Sequence, residues 1–205
     1  MKKLFLFLAL TCSISASAQL KYVQNLYFGF SPIGGNNIKV SEHEGEPDLK
    51  FSYKSNWNAT ICWEKQRNGF YNMFEASFGR GKLDNIDYDG QFTSDITTMI
   101  SQGDDVMNFS AAYFFGIPFL KRNGRFQLPL YIGPGVDYKN GGTFHHFMPF
   151  VGVKMRFIAY VTYKSGVWIG GNYNLECLGY KKVGENSYSL TADRTYIDAG
   201  LVIQL

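Results

Sequence analysis

The chain has 205 residues, 45% of them hydrophobic and 17% aromatic, with 22 glycines and a formal net charge of +3. Charge this close to balance leaves no electrostatic footprint for nucleic acid. No run of 18 apolar residues occurs anywhere, so a transmembrane helix is excluded, and a closed strand barrel is the only remaining way across a bilayer.

The start has the three parts of a cleavable signal peptide: Lys2-Lys3, an apolar stretch from Leu4 to Leu10, and the small-residue stop Ala16-Ser17-Ala18. Residues 1–18 are therefore read as the signal and residues 19–205 as one domain. The competing reading, a lipid on Cys12, lacks the small residue wanted directly before that cysteine, where Thr11 stands. Losing Lys2 and Lys3 leaves a net charge of about +1.

From there on, helical periodicity gives way to alternation. Eight strands are expected, at about 20–31, 49–66, 70–80, 105–120, 126–139, 147–163, 166–177 and 191–205. The second is the clearest: Leu49, Phe51, Tyr53, Trp57, Ala59, Ile61 and Trp63 fall on one face, with Lys50, Ser52, Lys54, Asn58, Thr60, Cys62 and Glu64 on the other. Such a run exceeds a soluble strand of five or six residues and suits a tilted membrane crossing. Arg67-Asn68-Gly69, residues 121–125 and residues 164–166 read as tight, glycine-containing turns. The connections near 32–48, 81–104, 140–146 and 178–190 read as longer loops. Cys62 and Cys177 fall on opposite faces near opposite ends, which argues against a disulfide.

Alternation alone does not say which face is outside, because a soluble barrel alternates too. Volume decides. About twenty aromatics share one face, among them Phe28, Phe30, Phe74, Phe109, Tyr113, Phe115, Phe157 and Tyr173. An eight-stranded barrel is only just wide enough to be filled by side chains. The aromatic face must look at lipid, with the other face, rich in Gly, Ser, Asn and charge, turned inward.

The expected fold is therefore all-β, a single eight-stranded antiparallel up-and-down transmembrane barrel. At its end, Asp198-Ala199-Gly200-Leu201-Val202-Ile203-Gln204-Leu205 resembles the C-terminal assembly signal of small outer-membrane barrels of the OmpA/OmpX-like kind, carried by Asp198, Gly200, Ile203 and Leu205. Many such proteins end in Phe or Trp where this chain has Leu205. The resemblance implies an integral place in a Gram-negative outer membrane, with loops extracellular and termini periplasmic. It also implies contact with outer-membrane lipids and lipopolysaccharide, and recognition by the barrel-assembly machinery. It transfers location better than activity.

Two groups of residues carry candidate chemistry. Lys54, Glu64, Glu75, Asp137, Lys154, Arg156, Glu176, Arg194 and Asp198 face inward, where isolated charges are costly and must pair. They are expected to form a lumen network that plugs the bore, with Glu75 meeting Arg156. In the second loop, Asn85, Asp87 and Asp89 precede Gly90 in a partial calcium-loop pattern, with Ile96 where the bidentate Glu belongs. His145 and His146 have no serine at a catalytic spacing, so neither an enzyme nor a cofactor is expected. The expected role is structural or surface-interacting, with an extracellular ligand held by the loops. The alternatives are a narrow small-solute channel and, third, a lipid-modifying enzyme.

Overall fold

The computed structural model describes residues 23–42, 49–88, 105–123, 125–141, 144–183 and 186–205. The expected signal peptide lies outside the described residues. Eight strands follow in chain order: β1 (Val23–Glu42), β2 (Leu49–Arg67), β3 (Phe70–Tyr88), β4 (Asp105–Asn123), β5 (Phe126–Gly141), β6 (Phe144–Tyr160), β7 (Ser165–Val183) and β8 (Asn186–Gln204). Each pairs antiparallel with its neighbours in sequence, and β8 returns to β1 to close the barrel.

The pairing sets the tilt. Going round from Tyr27 through Cys62, Glu75, Ala112, Gly135, Phe150, Glu176 and Ala192, the register returns to β1 at Ile38. That is eleven residues along the strand, one of them taken up by the β1 bulge between Phe30 and Ile33. A stagger of this size over eight strands inclines them by roughly 40° to the barrel axis.

Alternation then sorts the wall. Phe30, Phe115, Ile132 and Phe157 stand out from it, whereas Tyr131 and Arg156 on the opposite face are fully buried. On β3 the outward apolar positions run from Phe70 to Phe78 and end at Arg80 and Lys82. That length agrees with the nine to eleven residues a tilted strand needs to cross a bilayer. Just beyond the belt, Arg80 and Asp105 form an exposed ion pair at 2.5 Å. The hydrogen bond from Arg80 holds the Asp105 carboxyl below its ordinary range. Polar inside and aromatic outside, the barrel is built to stand in lipid.

Two local features show the chain choosing its hairpins. Asn68 and Gly69, with φ of 53° and 79°, form a two-residue turn of the mirror-image type that follows strand twist. At the foot of β4 and β5, Pro118 stands opposite Pro129, and the register slips between Pro118 and Leu120. Neither proline has an N–H to give the ladder.

The strands are longer than the sequence suggested. β1 continues to Glu42, β3 to Tyr88 and β7 to Val183, while β8 begins at Asn186. Much of what reads as loop near 32–48, 81–104 and 178–190 is paired backbone. β5 and β6 are separated by residues 142–143 alone, and β7 and β8 by residues 184–185. Two of the four connections expected to be long are therefore short. Gly, Asn and Ser lower strand propensity, but paired neighbours on both sides override a preference of this size.

Glycines make room for the interior. Rings of Trp168, Tyr131, Phe150 and Phe114 lie where side chains at Gly29, Gly116, Gly135 and Gly152 would project. At the closing seam, a Cβ on Gly200 would lie 1.8 Å from the Phe28 carbonyl oxygen, too close for β1 and β8 to stay paired. Gly35 has open space around it. Gly200→Ala is expected to destabilise the refolded barrel by about 1–3 kcal/mol, as overpacking does. Gly35→Ala should leave the midpoint within about 0.5 kcal/mol of the parent. Urea unfolding in detergent micelles, followed by tryptophan fluorescence, reads both, and equal midpoints for the two variants would remove the seam argument.

Candidate functional site

The inward positions of all eight strands build three clusters within the lumen. Nearest the turn end, the fully buried Glu64 is held by neutral donors. Asn25 Nδ2 donates to its Oε1 at 2.8 Å and the Tyr27 hydroxyl at 2.9 Å, while the Tyr131 hydroxyl donates to Oε2. Tyr160 donates onward to Asn25 at 3.4 Å. No salt bridge to Glu64 occurs among the described residues, so hydrogen bonds from neutral groups take the part expected of a cation.

The middle cluster turns on Glu75. Its Oε2 accepts from Arg156 Nη2 at 2.9 Å and from the Cys62 thiol at 3.2 Å, and its Oε1 accepts from Lys154. Strands β3 and β6 are three places apart in the ring of eight, so these bonds span the bore between non-adjacent strands. Arg156 is fully buried, with its guanidinium 4.3 Å from the Trp168 ring centroid, 5.0 Å from Tyr27 and 5.8 Å from Tyr131. Its Nη1 reaches Met73 Sδ at 3.0 Å. Aromatic faces and one carboxylate together replace the water that the cation has lost. Lys154 also donates to the Tyr196 hydroxyl at 2.9 Å and lies 4.8 Å from the Phe114 ring centroid.

Toward the loop end, Lys139 bridges Asp137, at 2.5 Å, and Glu176. Arg194 reaches Asp137 at 3.4 Å and Asn58 at 3.0 Å, with its guanidinium 4.8 Å from the Tyr196 ring centroid. Lys139 is not among the residues singled out from sequence, although it shares the inward parity of Asp137 two residues before it; it stands at the last position of the expected fifth strand. The inward aromatics were missed as well, because they alternate with outward aromatics and break the simple contrast between a polar and an apolar face.

The residues singled out from sequence are thus partly brought together. Glu75, Lys154 and Arg156 form one cluster. Asp137, Glu176 and Arg194 form another. Asp198 is buried but meets Asn172, at 2.9 Å, and no cation lies within salt-bridge distance among the described residues. Lys54 is on β2, opposite Gly35 and Lys82, with its side chain outside the described residues. Asn85 and Asp87 lie in paired β3, opposite Ser52 and Lys50. The backbone there is extended, and the side chains of Asn85 and Asp87 lie outside the described residues. Asp89 is outside the described residues. Among the described residues, no group of three or more His, Cys, Asp or Glu side chains could hold a metal ion. His145 and His146 lie in β6, opposite Asn140 and Lys139.

No protein-family model matches the chain, and no curated protein matches it. Solved structures do. Neisserial surface protein A is 14% identical, with 88% of this chain and 97% of that one covered at a TM-score of 0.46. The attachment invasion locus protein Ail of Yersinia pestis is 12% identical, with 87% and 98% covered at 0.39. The translocator domain of the autotransporter NalP from Neisseria meningitidis follows at 10%, with 93% and 91% covered at 0.28. The likeness is one of fold.

Glu75 accepts from two buried cations, so its removal strands both. Glu75→Gln is expected to lower stability by about 3–5 kcal/mol, the usual cost of breaking a buried pair from one side. The double variant Glu75→Gln with Arg156→Met should lose less than the sum of the two single changes, because one stranded charge is gone. Urea midpoints from the gel mobility of refolded and unfolded protein test this, and strictly additive losses would show that the two residues do not interact.

Proposed function

We propose that the protein is an integral outer-membrane barrel whose role is to present a binding surface outside the cell, with its lumen closed. One observation carries the surface role: the wall continues past the point where the barrel stops being closed. Pairing between β6 and β7 ends at Phe150 and Glu176, and pairing between β3 and β4 ends at Lys82 and Asp105. Beyond those rows β7, β8, β1, β2 and β3 remain paired as a five-stranded sheet, as far as Val183 with Asn186 and Leu49 with Tyr88. Among the described residues, β3 from 83 to 88 and β7 from 177 to 183 have no partner strand on their outer sides. Such edges offer backbone donors and acceptors to an extended segment of another molecule. Lipopolysaccharide would surround the base of this projection, and other surface ligands would meet its edges and the connections above it.

A closed lumen follows from the three clusters. Fully buried side chains at each level, tied across the bore, leave the barrel as a rigid support and not a conduit. The two described chain ends, Val23 and Leu205, are at the turn end, which in this reading faces the periplasm.

Two measurements test the proposal. On intact cells, a membrane-impermeant maleimide should label Asp87→Cys and leave Lys164→Cys unlabelled; the reverse pattern would invert the orientation. In planar bilayers the parent protein should show no steady conductance, and a stable ohmic current would replace the closed lumen with a channel.

A further inference from the structure

The outer wall is not uniformly apolar. A groove of about 940 Å³ runs along it at the turn end of β3, β4 and β5. Its order is legible from the register. At one end are Arg67 and Asn68, in the turn between β2 and β3, with Arg67 opposite Phe70. Two residues further along β3 comes Asn72, about 7 Å away at strand spacing. Beyond Asn72 its row continues through Phe115 and Ile132 to Val153, all lining the same groove. Ile117 and Leu130 flank that row on the turn side.

Asn72 is an amide in a wall of rings. The Tyr113 hydroxyl donates to its Oδ1 at 3.2 Å, so what the amide has left to offer a groove occupant is its Nδ2 donors. Along its length, the groove thus presents a cation, then a neutral donor, then an apolar trough. This is the order of groups in a glycerophospholipid: phosphate, ester carbonyl, acyl chain. A guanidinium suits a phosphate because its donors match two phosphate oxygens at once.

We propose that this groove holds one glycerophospholipid, with its phosphate on Arg67, an ester carbonyl on Asn72 and an acyl chain along Phe115, Ile117 and Ile132. The proposal rests on the wall being embedded in a bilayer, and it assigns the occupant to the leaflet at the turn end. Charge order favours this occupant over a detergent tail, which has nothing for Arg67, and over a second barrel, whose own belt carries no phosphate.

The test uses the full mature barrel, refolded into vesicles of phosphatidylglycerol and phosphatidylethanolamine, extracted in mild detergent and weighed intact by native mass spectrometry. One phospholipid should remain on each barrel. Adding diacylglycerol with the same chains should not displace it, because that molecule lacks the phosphate; this arm needs no variant. Arg67→Gln and, separately, Ile117→Trp, which fills the trough, should each lower the retained fraction at least tenfold. Ile169→Trp, on an exposed position of β7 that does not line the groove, should leave it unchanged. A folded, heat-modifiable barrel that retains no lipid, or retains diacylglycerol equally well, would overturn the groove while leaving the barrel intact. Retention of lipopolysaccharide in place of phospholipid would put this end in the outer leaflet and overturn the assignment. Failure to insert into vesicles at all would defeat the membrane reading itself.

Discussion

Everything in this protein depends on β8 pairing with β1. In hydrocarbon an unpaired backbone group costs several kcal/mol, so an eight-stranded wall in lipid has no tolerable edge. The seam is built for close approach: Gly200 faces Gly29 across it, and the Trp168 ring lies over Gly29. Once the seam is closed, strand number and stagger fix the bore, and the side chains inside have to fill a space they cannot change.

That fixed bore explains the interior chemistry. Charges are not spread along it but gathered at three levels, each with its own means of replacing water. Glu64 takes phenol and amide donors. Arg156 takes aromatic faces, a carboxylate and two sulfurs. Lys139 takes two carboxylates. Because partners such as Glu64 with Tyr131, Glu75 with Arg156 and Lys139 with Glu176 come from strands two or three places apart, each cluster is also a strut. A structure supported in this way can extend part of its wall beyond the bilayer, and β7, β8, β1, β2 and β3 do so.

Outside, the same alternation produces a belt whose exceptions are as informative as its rule. Arg80 and Asp105 mark one margin by leaving the apolar pattern together. Asn72 leaves it alone, inside the belt, and its Tyr113 partner shows that the departure is built into the wall. A polar residue on a lipid face is expensive unless something there accepts its hydrogen bonds.

Strand parity through the belt, and with it the inside-out character, is legible in the residue pattern alone. Twenty aromatics on one face cannot be placed within eight strands, whatever the details. The sequence also determined the turn at Asn68-Gly69, where two successive positive φ angles call for these residue types. Only the tertiary structure decided how far the strands run, because Gly- and Asn-rich segments such as 34–37 are held extended by partners distant in sequence. It alone decided which charges meet. Lys154 and Arg156 both reach Glu75 because tilt and side-chain length bring β6 to β3 across the bore. Glu64 and Asp198, carboxylates of the same inward parity, find neutral partners instead. Pairing across a barrel depends on stagger, which no local pattern encodes.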